Sequence, residues 1–253
     1  MRKILLIGIG PGDPDYLTVQ AINALNRADV FFIPDKGAEK AELRQLREQI
    51  CKRFMTKADY RTVTIDIPKR DAHPEDYQAT VDDWHARIAE RYQSVLTESL
   101  PDGGCGAFLV WGDPSLYDST MRILDRLQAQ GSDIAYEIIP GITAVQALTA
   151  RHRIPLNRIG QSVTITTGRK LGAAGQLTDD TTVVLLDGDE TFAKIDARDV
   201  SIYWGANLGM DDEILVAGKL DEVSSEIQRV RREARSAKGW IMDAYLLRSD
   251  GNE

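Results

Sequence analysis

Short apolar runs and amphipathic stripes take turns along nearly the whole chain, and this alternation restricts the fold more than any other feature. KILLIGI (3–9) and the segments 30–33, 62–67, 107–111, 134–139, 162–166, 182–186, 200–204 and 240–247 read as strands, short and bounded by Gly, Pro or Asp. Between them the spacing predicts helices over 17–27, 39–54, 78–99, 114–130, 143–151 and 222–237. Leu43, Leu46, Ile50 and Phe54 form one helical stripe, and Val81, Trp84, Ile88, Tyr92 and Val95 another. Asp113 followed by Pro114 reads as an N-cap with proline at the first helical position. Strands alternating with helices mean an α/β fold with mostly parallel or mixed sheets. About ten strands are many for one sheet. A break near 112–120 divides them evenly, so two α/β domains are expected, 1–115 and 116–253.

Composition removes several function classes. The formal charge is −8, the wrong sign for a protein whose affinity comes from neutralising nucleic-acid phosphates. No apolar run reaches the ~18–20 residues that span a bilayer. The apolar start, Ile4 to Ile9, has no small-residue cleavage site after it and reads as a first strand, not a signal peptide. Cys51 and Cys105 make neither a disulfide framework nor a CxxC pair. A cytoplasmic protein with no metal, no nucleic-acid partner and no membrane segment is expected.

Five glycine-bearing loops stand where strands end. Gly8-Ile9-Gly10-Pro11-Gly12-Asp13 sits between a strand and a helix, the context of a dinucleotide loop. It departs from G-x-G-x-x-G, because Asp13 would repel a pyrophosphate and Pro11 removes a donor. A bare turn, a phosphate cradle and a cradle for a different ligand all stay open. The other four are Trp111 to Tyr117, Pro140 to Ala144, Leu186-Asp187-Gly188 and Trp204 to Asn207. Turn chemistry explains each one singly. Together they suggest a ligand crevice beyond the strand ends.

GIGPGDPDYLT (8–18), WGDPSLY (111–117), PGITA (140–144) and TVVLLDG (182–188) resemble, in order and spacing, the signature segments of the tetrapyrrole methylases, the class III methyltransferases that use S-adenosylmethionine. The resemblance implies two α/β domains flanking a trough, a homodimer, and a tetrapyrrole facing the first glycine loop. The N-terminal domain is then the tetrapyrrole side and the C-terminal domain the cofactor side. Carried over by position, S-adenosylmethionine contacts fall on Pro11, Trp111, Gly112, Asp113, Leu116, Thr143 and Ala144. Further contacts fall on Leu186, Asp187, Ala206, Asn207, Leu208, Gly239 and Trp240.

Within the family, segment 28–51 is most similar to methylases of aerobic cobalamin biosynthesis that methylate precorrin-5 at C1 with loss of acetate, giving precorrin-6A. Another precorrin methylase, or a methylase of the modified histidine on elongation factor 2, is the alternative within the family. An NAD-dependent oxidoreductase using Gly8, Gly10 and Asp35, and a non-catalytic tetrapyrrole-binding protein, are the alternatives from other classes.

Methyl transfer from a sulfonium needs alignment more than acid–base help. Acetate release is hydrolytic and needs a base within ~3 Å of a water. Asp13, Asp35 and His152 are the candidates; His85 reads as structural and His73 as solvated. A polycarboxylate substrate calls for cations. Lys36, Lys40, Arg151, Arg153, Arg158, Arg169 and Lys170 lie near loops, whereas Arg229, Arg231, Arg232 and Arg235 read as structural or solvating.

Overall fold

The computed structural model describes residues 1–35, 41–68, 77–177, 179–195 and 198–249; Lys36, Lys40 and His73 lie outside them. The chain divides into two compact units, Met1–Ile142 and Thr143–Glu253.

The first unit runs β1 (Arg2–Gly8), α1 (Val19–Leu25), β2 (Val30–Asp35), α2 (Ala41–Phe54), β3 (Arg61–Asp66), α3 (Tyr77–Ser99), β4 (Cys105–Val110), α4 (Thr120–Ala129) and β5 (Ile134–Ile139). Its strands form one sheet in the order β3-β2-β4-β1-β5, and every pairing is parallel. Ile4 to Ile7 are fully buried, as a central strand covered on both faces requires. One face packs Ile4, Leu6, Phe32 and Phe108 against Ile88 and Tyr92 of α3 and Leu124 of α4. The other packs Leu5, Ile7, Phe31 and Leu109 against Ala21 and Leu25 of α1 and Ile50 of α2. With helices 1 and 2 on one face and 3 and 4 on the other, the strand order reverses at β4. That is where open α/β sheets bind ligands. The ladder between β2 and β4 covers only Val30 to Phe32, so these strands part toward their carboxyl ends.

The second unit runs α5 (Ala144–His152), β6 (Val163–Thr167), α6 (Gly168–Ala174), β7 (Thr181–Leu185), β8 (Val200–Ala206), β9 (Ile214–Lys219), α7 (Leu220–Lys238) and β10 (Asp243–Ser249). Its sheet, ordered β6-β7-β10-β8-β9, is mixed: β6 and β7 are parallel and the remaining pairs antiparallel. Among the described residues, no helix is long and apolar enough to cross a membrane.

Three features differ from the sequence expectation. The first unit extends to Ile142 rather than stopping at 115, because β5 pairs with β1 from Arg2↔Ile134 to Ile7↔Ile139. Helix α4 starts at Thr120, not at Pro114. Asp113 instead closes a local turn, and Tyr117 in the left-handed region (φ 55°) breaks any helix begun there. Strand β9 and helix α6 went unpredicted. The strand runs straight into α7 with no turn residue between them, and the helix carries Gly168 and Gly172, which are poor helix formers.

Candidate active site

In the first unit the loops after β1, β4 and β5 emerge at one edge, since Gly8 aligns with Val110 and Ile7 with Ile139. They are fastened to one another. Gly10 and Gly112 exchange main-chain hydrogen bonds at 3.2 and 2.9 Å. A Cβ on Gly8 would lie 2.6 Å from Gly141 N, and one on Gly141 would lie 2.2 Å from Gly112 O. These two glycines thus let three backbones meet; they are not held open for a ligand. Gly112 differs. Its φ is +68°, and a Cβ there would meet nothing nearer than Ile142 O at 3.9 Å.

Asp113 locks the arrangement. Oδ2 accepts the Gly141 N–H at 2.8 Å, while Oδ1 accepts the Ser115 N–H at 2.8 Å and the Ser115 hydroxyl. Burial alone would raise this carboxyl, but the Ser115 and Gly141 hydrogen bonds outweigh it and hold Asp113 below the usual carboxylate range. Pro11 is buried, Trp111 and Leu116 are half-buried, and Tyr117 is 46% exposed.

The second unit gathers its own set. Leu185 aligns with Ala244 and Ala206 with Asp243, so loops 186–188 and 206–208 and segment 239–242 share one end of the sheet. Leu186 is 66% exposed with φ 55°. An apolar side chain is thus held outward on a strained backbone. The next residue, Asp187, points inward. Its carboxylate accepts from Thr191 N at 2.7 Å, Thr191 Oγ1 at 2.9 Å, Tyr245 Oη at 2.7 Å and Asp189 N at 3.1 Å. Its side chain is therefore committed to the fold.

Arg231 takes the structural of its two sequence readings. It is buried, donates to Asp187 O (2.8 Å) and Asp243 Oδ2 (2.8 Å), and pairs with Glu190 (3.3 Å). It fastens the 186–190 loop to the sheet. Asn207 takes φ 50° and ties the β8 turn to Met242, accepting from its N–H at 3.3 Å and donating to its carbonyl at 2.8 Å. Ala206 and Leu208 are buried beside it. Gly239 caps α7 in the left-handed region, and the Trp240 indole N–H is buried without a hydrogen-bond partner among the described residues. Thr143 caps α5 in a reciprocal capping box with Gln146, and Ala144 opens that helix.

In the second unit the fold leaves unused the outward Leu186 and the Trp240 N–H, which has no hydrogen-bond partner among the described residues. Asp113, Asp187 and Asn207 shape the loops instead of presenting free side chains.

The three base candidates are not joined to one another by any hydrogen bond among the described residues. Asp13 lies in the β1 loop and caps a short turn through Asp15 N at 2.8 Å. Asp35 ends β2, 3.6 Å from Arg44. His152 ends α5, its Nε2 donating to Trp204 O at 3.0 Å and its ring edge-on to Tyr203 at 5.6 Å. Burial lowers its pKa, against the Trp204 carbonyl and Glu213, and its Nε2 is occupied. Of the cation candidates, Arg151 is paired with Glu213 and Arg158 with Asp180. Sequence reasoning missed Tyr117 as a strained, exposed ring, although it closes the quoted 111–117 segment; a positive φ on tyrosine leaves no trace in composition.

This pair of sheets with glycine-turned strand ends is that of a methyltransferase family. The chain belongs to the Tetrapyrrole (Corrin/Porphyrin) Methylases, whose family model matches residues 3–224. Among its relatives, a precorrin-6A synthase [deacetylating] of Sinorhizobium sp is 53% identical over 249 residues, covering 98% of this chain and 95% of that one. The crystal structure of a cobalamin synthesis related protein (CobF) from Corynebacterium diphtheriae superposes with a TM-score of 0.81 at 38% identity, covering 98% and 99% of the two chains. The fold is shared with a uroporphyrin-III C-methyl transferase from Thermus thermophilus complexed with S-adenyl homocysteine, at TM-score 0.60 and 19% identity, covering 97% and 96%.

Proposed function

We propose that this chain is an S-adenosylmethionine-dependent C-methyltransferase of cobalamin biosynthesis that methylates precorrin-5 at C1 and releases acetate, giving precorrin-6A. The observation that carries this reading is the 53% identity, over nearly the full length of both chains, to a relative whose name states that product and the deacetylation. The site geometry agrees with a reaction that depends on alignment. S-adenosylmethionine supplies an already activated methyl group on a cationic sulfur. The chain's contribution is to hold loops rigid and present main-chain groups at fixed angles, which is how positioned reactants gain rate.

In this reading the first unit receives the tetrapyrrole. Asp113 fastens the Gly141 turn to the loop after β4, so the loops after β1, β4 and β5 keep one arrangement. The second unit receives the cofactor. Leu186 offers an apolar surface, Trp240 offers an N–H donor, and the Arg231–Asp187 link keeps the 186–190 loop from shifting. Acetate release needs a base near a water. Asp13 and Asp35 fit that role better than His152, whose Nε2 already serves Trp204 O. The same reading carries a homodimer in the cytoplasm.

The test is to incubate the protein with precorrin-5 and methyl-labelled S-adenosylmethionine and analyse the products by mass. One methyl gained and one acetate released per turnover is the expected result. Binding of NAD without binding of S-adenosylhomocysteine would overturn it in favour of an oxidoreductase.

A further inference from the structure

Helix α2 carries two arginines one turn apart whose surroundings differ. Arg44 lies 3.6 Å from Asp35 and 3.8 Å from Glu48, so its charge has acidic neighbours. Arg47 has none at that range among the described residues. Its Nε donates to Leu109 O at 2.9 Å and its Nη1 to Leu43 O at 2.6 Å. Both acceptors are main-chain carbonyls, which orient the guanidinium without neutralising it. Asp118 is felt only through space and already accepts the Thr120 N–H at 2.7 Å. Among the described residues Nη2 has no hydrogen-bond partner, and Arg47 as a whole is half-buried.

The position of this cation matters. Leu109 is the next-to-last residue of β4, and β2 has left the ladder after Phe32. Arg47 therefore reaches into the fork between β2 and β4, at the carboxyl edge where the strand order reverses. Trp111 of the glycine-turn segment is two residues further on. Desolvation is strong enough there to pull this guanidinium down to about 10. A desolvated cation with no acidic group in ion-pair contact is costly to keep, and an arriving anion relieves that cost. The free edge of a guanidinium held by its other edge suits a planar carboxylate best.

We infer that Arg47 is a substrate-binding residue, which takes a peripheral carboxylate of the acceptor at the β2–β4 fork. The inference rests on the tetrapyrrole reading above and adds the residue that recognises the acceptor's acidic fringe.

The experiment compares wild type with Arg47→Gln and Arg47→Lys. KM is measured separately for precorrin-5 and for S-adenosylmethionine. Binding of uroporphyrin III and of its octamethyl ester is measured by tryptophan fluorescence quenching, which needs no turnover. The expected result for Arg47→Gln is a rise of about ten- to a hundredfold in KM for precorrin-5, with KM for the methyl donor nearly unchanged. Its affinity for the free acid should fall while its affinity for the ester matches wild type. Arg47→Lys should recover part of the loss, since charge returns without the fork. Unchanged KM for precorrin-5, or equal loss for acid and ester, overturns the inference and leaves the methylase reading intact. Should Arg47→Gln fail to fold, the acid-to-ester ratio of Arg47→Lys decides by the same criterion. A wild type that binds S-adenosylhomocysteine yet neither binds nor methylates a tetrapyrrole overturns both readings.

Discussion

The carboxylate of Asp113 accepts the main-chain N–H of Gly141 at 2.8 Å, joining the loop after β4 to the loop after β5 across 28 positions of sequence. The same side chain takes the Ser115 N–H with its other oxygen. One residue thus sets the relative position of two strand-end turns.

Asp113→Asn should cost about 1–3 kcal/mol, because an amide cannot replace acceptors on both sides and leaves a buried N–H short of a partner. The pH dependence has a definite sign. The folded-state pKa of Asp113 lies below its unfolded value, so its contribution is present above the unfolded carboxylate pKa and lost as pH falls through the folded one. Wild type should therefore lose more stability than Asp113→Asn on acidification. Denaturant midpoints between neutral pH and the acid limb would show it; parallel curves would count against the assignment.

Gly141→Ala should be severely destabilising, with loss of about 2 kcal/mol or more, since the new Cβ falls 2.2 Å from Gly112 O and backbone must move. Gly188→Ala is the control. No atom lies within 4 Å of a Cβ there, so the change should stay within about 0.5 kcal/mol. Thermal unfolding of the two variants is the measurement, and equal effects would contradict the packing described.

Leu186→Gly separates stability from function. Glycine accepts the left-handed backbone without strain, so the melting temperature should hold or rise. The lost apolar side chain should weaken S-adenosylhomocysteine binding about tenfold. Titration calorimetry beside a thermal melt would report both. A loss of stability with unchanged affinity is the contrary outcome.

Arg231→Met strands Asp243 in the interior and should cost about 3–5 kcal/mol. The penalty should shrink as pH is lowered. Burial already raises the Asp243 carboxyl, more so with Arg231 gone, and a group whose folded pKa is raised favours the folded state once protonated. Arg231→Met with Asp243→Asn should recover part of the loss. A double-mutant cycle tests this, and strict additivity would sink it.

Trp240→Phe removes a buried N–H that has no hydrogen-bond partner among the described residues, so stability should be nearly unaffected. Affinity for S-adenosylhomocysteine should fall by about tenfold if that donor meets the cofactor. Equal affinity in the two proteins would remove Trp240 from the cofactor site.

By itself the sequence determined the α/β class, the strands of the first sheet and the segments that carry the site. Of these, β1 and β4 are buried on both faces, so their apolar runs are continuous and lead into glycine, whereas the mostly exposed β3 reads by alternation. The family's strand-end segments were legible for the same reason, because a turn that tight tolerates few residues. Only the tertiary structure decided what individual side chains do there. Asp113 reads as a helix cap until Gly141 arrives from the next loop. Asp187 reads only as part of a strand-end loop until Thr191 and Tyr245 enclose its carboxylate. Arg231 reads as structural or solvating until the second sheet surrounds it, and the role of Arg47 emerges only at the β2–β4 fork. Each of these roles depends on a partner distant in sequence, and one-dimensional spacing does not encode such pairings. The left-handed backbone of Tyr117 and Leu186 is likewise imposed by the surrounding packing, against the local preference of both residues.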